Sequence, residues 1–242
     1  MADPVVLDRW AGTGVSLGAV VDSLTELRHA APRTASRTSV MTLVVVATTD
    51  DDAYRSQQAM HALGGHHPAR LVVLRPEPEG TPGIDANATL FGGEVTDHPI
   101  VFDEVGLVVR GEAALHLDSI IEPFTLADLP VVLWYPSTLP GREDPLLAVA
   151  DTVLVDSKEA GDTSVFAPLA ELAPGRAFVD LSWERLRPWR ELLAGLFDGA
   201  AYRPYVTGIA TVEVDGKPGP RHLLGGWLAS RLGTTRSQVH LA

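Results

Sequence analysis

The chain has 242 residues, 45% of them hydrophobic, a formal net charge of -12 and no cysteine. The length holds one large domain, or a main domain with a small second one. The charge argues against a phosphate-backbone or anionic-membrane partner, and the missing thiols exclude disulfides, thiolate catalysis and iron–sulfur clusters within this chain. Lysine occurs only at Lys158 and Lys217, so arginine carries the positive charge and suits planar contacts to carboxylate or phosphate. The N-terminus has no basic region before an apolar block, and no apolar run approaches the ~20 residues of a membrane helix. A soluble cytoplasmic protein is the expectation.

Residues 1–15 read as a short lead-in. Leu17, Val20, Val21, Leu24 and Leu27 share one helical face, predicting a helix over 16–30 capped by Thr13 or Ser16, with Pro32 beyond it. Residues 33–39 are polar and read as a loop. The β-branched run 40–48 predicts a buried strand, and 50–63 a helix with an acidic first turn, closed by Gly64 and Gly65. Residues 69–75 form the next strand, which makes a parallel βαβ unit with a right-handed crossover. After a Pro- and Gly-rich loop over 76–83, residues 84–91 and 100–110 are extended and predict an antiparallel addition to the sheet.

Residues 112–122 predict a helix with Ala113, Leu117, Ile120 and Ile121 inward. Residues 131–135 follow as a short apolar strand between Pro130 and Pro136, the pattern of a strand covered on both faces. Its C-terminal edge, where ligands and partners meet open α/β sheets, carries Trp134, Tyr135 and Pro136. The aromatic pair either caps the core or presents a contact. After a loop over 136–143, a short helix over 145–150, a strand over 152–156, a helix over 165–173 and an edge strand over 177–181 follow.

Trp183, Leu186, Trp189, Leu193 and Phe197 keep helical spacing over 182–197, with Pro188 starting or kinking the regular part. Residues 198–204 read as a linker. Beyond it, 205–214 alternates like an antiparallel strand, Asp215-Gly216 turns, 221–232 is helical up to Gly233, and 238–241 starts another strand. The fold class is therefore α/β: a three-layer, mostly parallel sheet with antiparallel additions over 1–200, then a small α+β unit over 201–242 that reads as incomplete.

No side-chain constellation names a reaction. Gly12-Thr-Gly14 with Gly18 lacks the preceding strand of a dinucleotide loop and reads as the start of a helix. His61, His66 and His67 lack metal-ligand spacing and read as solvated. The paired carboxylates Asp103-Glu104, Asp50 to Asp52 and Glu143-Asp144 fit turns and helix starts. Arg185, Arg187 and Arg190 crowd Trp183 and Trp189. This group could grip phosphate or meet an acidic partner, since arginine and tryptophan are enriched at interfaces. Alternatively the tryptophans pack inward and the arginines pair with Glu184 and Glu191.

Several stretches, taken together, resemble a known family. They are His67-Pro-Ala-Arg70, Asp118-Ser-Ile-Ile-Glu-Pro123, Asp128-Leu-Pro-Val-Val-Leu-Trp-Tyr-Pro136, Val155-Asp-Ser157, Asp180-Leu-Ser-Trp-Glu-Arg-Leu-Arg-Pro-Trp-Arg190 and Gly226-Trp-Leu-Ala-Ser-Arg-Leu-Gly233. In this order and spacing they resemble the glucose-6-phosphate dehydrogenase assembly protein family, often called OpcA. The resemblance implies a non-catalytic protein, with no cofactor or metal, that binds glucose-6-phosphate dehydrogenase and promotes its active oligomer in the oxidative pentose phosphate pathway. With no cysteine in this chain, any redox response would have to reside in the partner. The contact residues expected on this reading are Trp134, Tyr135, Pro136, Arg187, Trp189 and Arg190. Two features depart from the family pattern: Tyr135 stands where the family commonly has a second Trp, and the family's C-terminal region usually runs longer. The alternative is a domain that binds a phosphorylated sugar, as an enzyme or a sensor.

Overall fold

The computed structural model describes residues 4–31, 39–63, 69–95, 98–159, 164, 166–172, 177–206, 208–233 and 238–241. The expected helix-ending Gly64-Gly65, the pair His66-His67, Pro32 and most of the 33–39 loop lie outside them. The chain divides into two compact units, 1–154 and 155–242.

The centre of the first unit is built from apolar runs that leave no polar face. β2 (Met41–Val46) and β3 (Ala69–Glu77) pair in parallel, Met41 opposite Ala69 and Val46 opposite Leu74. Leu43, Val44, Val45, Leu71, Val72, Val73 and Leu74 are all buried, as a strand covered on both faces requires. β6 (Val131–Trp134) lies parallel on the other side of β2, and β7 (Thr152–Val155) parallel beyond β6. β4 (Gly83–Val95) and β5 (His98–Arg110) form the expected antiparallel addition, with β5 parallel to β3. The order through this unit is β1-β4-β5-β3-β2-β6-β7.

β1 is a strand that the pattern of residues 1–15 does not show. Val5–Gly12 pairs antiparallel with β4. It is an edge strand with Val5, Val6 and Leu7 exposed, so it carries none of the alternation that marks a half-buried strand. Ladder pairing with β4 holds it in place.

Two helices cover opposite faces of this sheet. α1 (Leu17–Ala30) is capped by Ser16, whose Oγ accepts from the Ala19 amide at 3.2 Å, and it buries Val20, Leu24 and Leu27. α2 (Asp50–Leu63) begins with three aspartates at the positive end of its dipole. The helix expected over 112–122 is broken. A 3₁₀ segment over Gly111–Leu115 gives way at His116 to α3 (Leu117–Ile121), and a second 3₁₀ turn, Glu122–Phe124, carries Pro123. Leu117, Ile120 and Ile121 do point inward, and so does Phe124.

The second unit contains α4 (Phe166–Leu172), β8 (Ala177–Asp180), α5 (Leu181–Arg185), α6 (Arg187–Asp198), α7 (Arg203–Val206), β9 (Val212–Val214), α8 (Pro218–Leu232) and β10 (Val239–Leu241). The single helix expected over 182–197 is two. The break is at Leu186, and Pro188 sits in the first turn of α6, where its missing N–H costs nothing. The strand expected over 205–214 is mostly not one. Pro204 and Tyr205 lie in α7, and only Val212–Val214 finds a partner, β10, with which it runs parallel rather than antiparallel. Period-2 spacing makes a strand only where a neighbour completes the ladder. α8 ends as expected at Gly233, which adopts φ 63.

Candidate functional site

The stretches quoted above build two corners of the first unit and one of the second. In the first unit Arg70 and Asp103 are side by side on parallel neighbours, since Leu71 stands opposite Glu104. The Arg70 guanidinium donates to Asp103 at 3.1 Å and to the carbonyl oxygen of Phe124 at 2.7 Å. Arg28 of α1 donates to the other Asp103 oxygen. Glu104, the next residue on β5, faces the other way and accepts from Gln57 at 2.5 Å and from His61 of α2, with the two groups 3.0 Å apart. Adjacent strand residues point to opposite faces, so this pair ties α1 and α2 to the two sides of one strand. Burial pushes the Glu104 carboxyl up, against the pull of His61 and Gln57. Asp103-Glu104 is thus no turn or cap: both carboxylates lie inside a strand, 6% and 4% exposed. Their burial was not legible because neighbouring charges read as solvent-facing until cross-strand and helix partners are known.

At the C-terminal end of the central strands, Trp134 closes β6 opposite Val45, half-buried against the apolar cluster that β2 and β3 build. Its indole N–H has no hydrogen-bond partner among the described residues. Tyr135 is 3% exposed, and its hydroxyl donates to Asp144 at 2.6 Å. Burial and then the Asp144 charge push its phenol up. Pro136 is half-buried. Beside it the hydroxyls of Thr48 and Ser137 donate to Asp52 at 2.8 and 2.6 Å. Burial pushes the Asp52 carboxyl up, but the bonds from Ser137 and Thr48 outweigh it and hold it low.

In the second unit the Val155–Ser157 and Asp180–Arg190 stretches meet at Asp156. This buried carboxylate accepts from Ser182 Oγ at 2.6 Å and from Arg185 Nη1 at 2.9 Å, and Lys158 Nζ stands 3.2 Å away. Burial pushes its carboxyl up, but the bonds from Arg185, Ser182 and Lys158 hold it below the ordinary range. Asp180 caps α5 by accepting from the Ser182 amide at 2.8 Å and also takes the Ser157 amide at 3.2 Å. Gly219 lies against this turn so closely that a Cβ there would stand 2.0 Å from the Ser157 carbonyl oxygen.

The predicted arginines do not converge on a common point. Arg187 pairs with Glu184. Arg190 lies 3.5 Å above the centroid of the Trp183 ring and donates to the Trp183 carbonyl at 3.2 Å. Trp183 is half-buried, but Trp189 is 59% exposed. None of the twelve residues of α6 is buried, although the helix is strongly two-faced. Leu192 and Leu196 stand in the open, as do Tyr202 and Tyr205 after them. Alongside is a groove of about 1050 Å³ with Leu186, Trp189, Leu193, Phe197, Trp227 and Leu228 in its walls. Trp227 comes from the Gly226–Gly233 stretch, and its role beside α6 is one that spacing within a single helix does not show.

Comparison with known proteins also divides the chain in two, between residues 172 and 176 rather than at 154. Residues 60–172 match the family described as the glucose-6-phosphate dehydrogenase subunit N-terminal domain, and residues 176–242 match its C-terminal domain. The chain is 29% identical over 181 residues to a protein of Synechocystis sp. provisionally named OxPP cycle protein OpcA, an alignment covering 70% of this chain and 38% of the relative. Relatives of the same name in Nostoc punctiforme and Synechococcus elongatus are 29% identical over 177 residues and 25% identical over 185. These alignments cover 69% and 72% of this chain, and 38% and 41% of those relatives. The chain thus spans about two fifths of the length of the curated relatives it matches. With both domain families matched in order along it, the chain belongs to the OpcA family of glucose-6-phosphate dehydrogenase assembly proteins.

Proposed function

We propose that this chain is a non-catalytic assembly partner of glucose-6-phosphate dehydrogenase that favours the enzyme's active oligomer in the oxidative pentose phosphate pathway. The observation that carries this is the uncovered apolar face of α6, with Trp189, Leu192 and Leu196 exposed and Arg187 and Arg190 beside them. A contiguous apolar face rimmed by polar groups is the signature of a protein contact, and a tryptophan with flanking arginines is the usual composition of its energetic centre. The family descriptions support glucose-6-phosphate dehydrogenase as the partner. The end of β6 makes a separate proposed contact. There Trp134 and Pro136 are half-buried, and Tyr135 holds their backbone in place through Asp144.

A binding protein shifts an oligomer equilibrium only by its difference in affinity for the two states. The test is dehydrogenase activity titrated with this protein, with mass-resolved size exclusion in parallel. A saturable rise in activity together with a heavier complex is expected, and the double variant Trp189→Ala, Leu192→Ser should lose both. No change in either activity or mass with the unaltered protein overturns the reading.

A further inference from the structure

α2 is attached to the sheet differently from α1. α1 buries Val20, Leu24 and Leu27, whereas Ser56 is the one buried residue among the 14 of α2. Ala53 and Met60 pack partly against the cluster that β2 and β3 build. Much of the remaining hold is polar. In the first turn Asp52 accepts from Thr48 and from Ser137, beside the end of β6. Further along, Gln57 and His61 stand four residues apart, and so on one face, and both reach the Glu104 carboxylate.

Glu104 is buried inside β5, between Leu71 of β3 and Thr89 of β4, while His61 is partly exposed and rests on the Phe91 ring. On the face that Glu104 shares, β3 presents Ala69, Leu71 and Val73, and β4 presents Asn87, Thr89 and Phe91, none of them charged. Arg70 and Asp103 bond to each other on the opposite face. On α2, Arg55 pairs with Asp51 at the surface, and Arg75 of β3 turns to Asp50 and Glu77. Among the described residues, His61 is thus the one cationic group placed to face Glu104.

A carboxylate taken out of water is costly unless a cation and hydrogen bonds compensate it. Burial already pushes the Glu104 carboxyl up. The contribution of a carboxyl raised in this way is present below its unfolded value and is lost as pH rises through the folded one. A protonated His61 supplies the counter-charge when Glu104 is ionised. With the imidazole neutral, a buried negative charge is left with hydrogen bonds alone.

We propose that His61 and Glu104 form a proton-operated latch, which holds α2 on the sheet while the pair keeps a proton and loosens the helix when the pair loses it. The device concerns α2 alone, and its test uses no dehydrogenase, so it stands or falls apart from the assembly reading.

The experiment is amide hydrogen exchange of the whole chain, corrected for the intrinsic pH dependence of exchange, between about pH 6 and about pH 8, where an ordinary histidine loses its charge. Protection of α2 should fall by about tenfold or more with rising pH, the scale of a titration displaced by one unit, while protection of β2 and β3 holds. Glu104→Gln keeps the shape and hydrogen bonding but cannot ionise, and its α2 protection should not change with pH. His61→Phe keeps the ring against Phe91 without the charge, so its α2 protection should already be low at the lower pH. Combining the two substitutions should restore it, because no buried charge then lacks a counter-ion. Protection of β2 and β3 reports in each variant whether the sheet is folded. Equal α2 protection at both pH values in the unaltered protein overturns the proposal. So does an undiminished pH response in Glu104→Gln, or full α2 protection in His61→Phe.

Discussion

The sheet centre of the first unit and α6 of the second use similar residues to opposite ends. In β2, β3 and β6 the valines and leucines other than the half-buried Val132 are sealed, and Val44, Val45, Val72 and Leu133 have no exposed surface. In α6 the apolar residues are arranged with equal regularity, yet none is buried. One region has spent its apolar surface on its own fold, and the other has kept it available. The contrast teaches that amphipathic order in a sequence says where an apolar face is, not what covers it.

The most disruptive way to break the comparison is inside the sealed region. Phe124→Ala removes a fully buried ring next to the carbonyl that Arg70 holds, and should cost about 3–5 kcal/mol in denaturant unfolding. A loss under about 1 kcal/mol would mean that this corner is not packed as described.

Asp156→Asn comes next, at about 2 kcal/mol near neutral pH, because the charge-assisted bonds from the partly exposed Arg185 and Lys158 to a buried carboxylate are weakened. Its pH dependence has a definite sign. The folded-state carboxyl titrates below its unfolded value near 3.9, so its stabilisation is present above that pH and is lost as pH falls through the folded value. The gap between the native protein and the variant should be full at pH 7 and close in acid. A gap that widens in acid would contradict the ion-pair assignment.

Trp189→Ala sharpens the contrast from the other side. Thermal stability should move by less than about 0.5 kcal/mol, as for a surface position, while dehydrogenase affinity falls by about 2 kcal/mol. Equal losses in both measurements would make Trp189 a packing residue. The smallest effect belongs to Tyr135→Phe, which deletes the hydroxyl bonded to Asp144 and keeps the ring. About 1 kcal/mol of stability should go, measured by denaturant titration of the two proteins side by side.

Much of the first unit was legible because local pattern and tertiary environment agree there. Unbroken β-branched runs marked β2 and β3, the helix over 50–63 came out with its expected limits, and the parallel pairing followed from the crossover between the two strands. Ser16 and Gly233 appear as caps because capping is local chemistry. β1 was not legible, since an edge strand held by pairing needs no alternation.

The sequence by itself determined which segments are apolar, where chain direction must change and which helix ends are satisfied. All of these depend on residues within a few positions of one another. Only the tertiary structure decided that Asp103 and Glu104 are interior, because their partners Arg70, Arg28, Gln57 and His61 lie 33 to 75 residues away. The tertiary structure also decided that Trp189 faces outward and that 205–214 is mostly not a strand. Burial and pairing are properties of what arrives from elsewhere in the chain, and spacing within a segment does not report it.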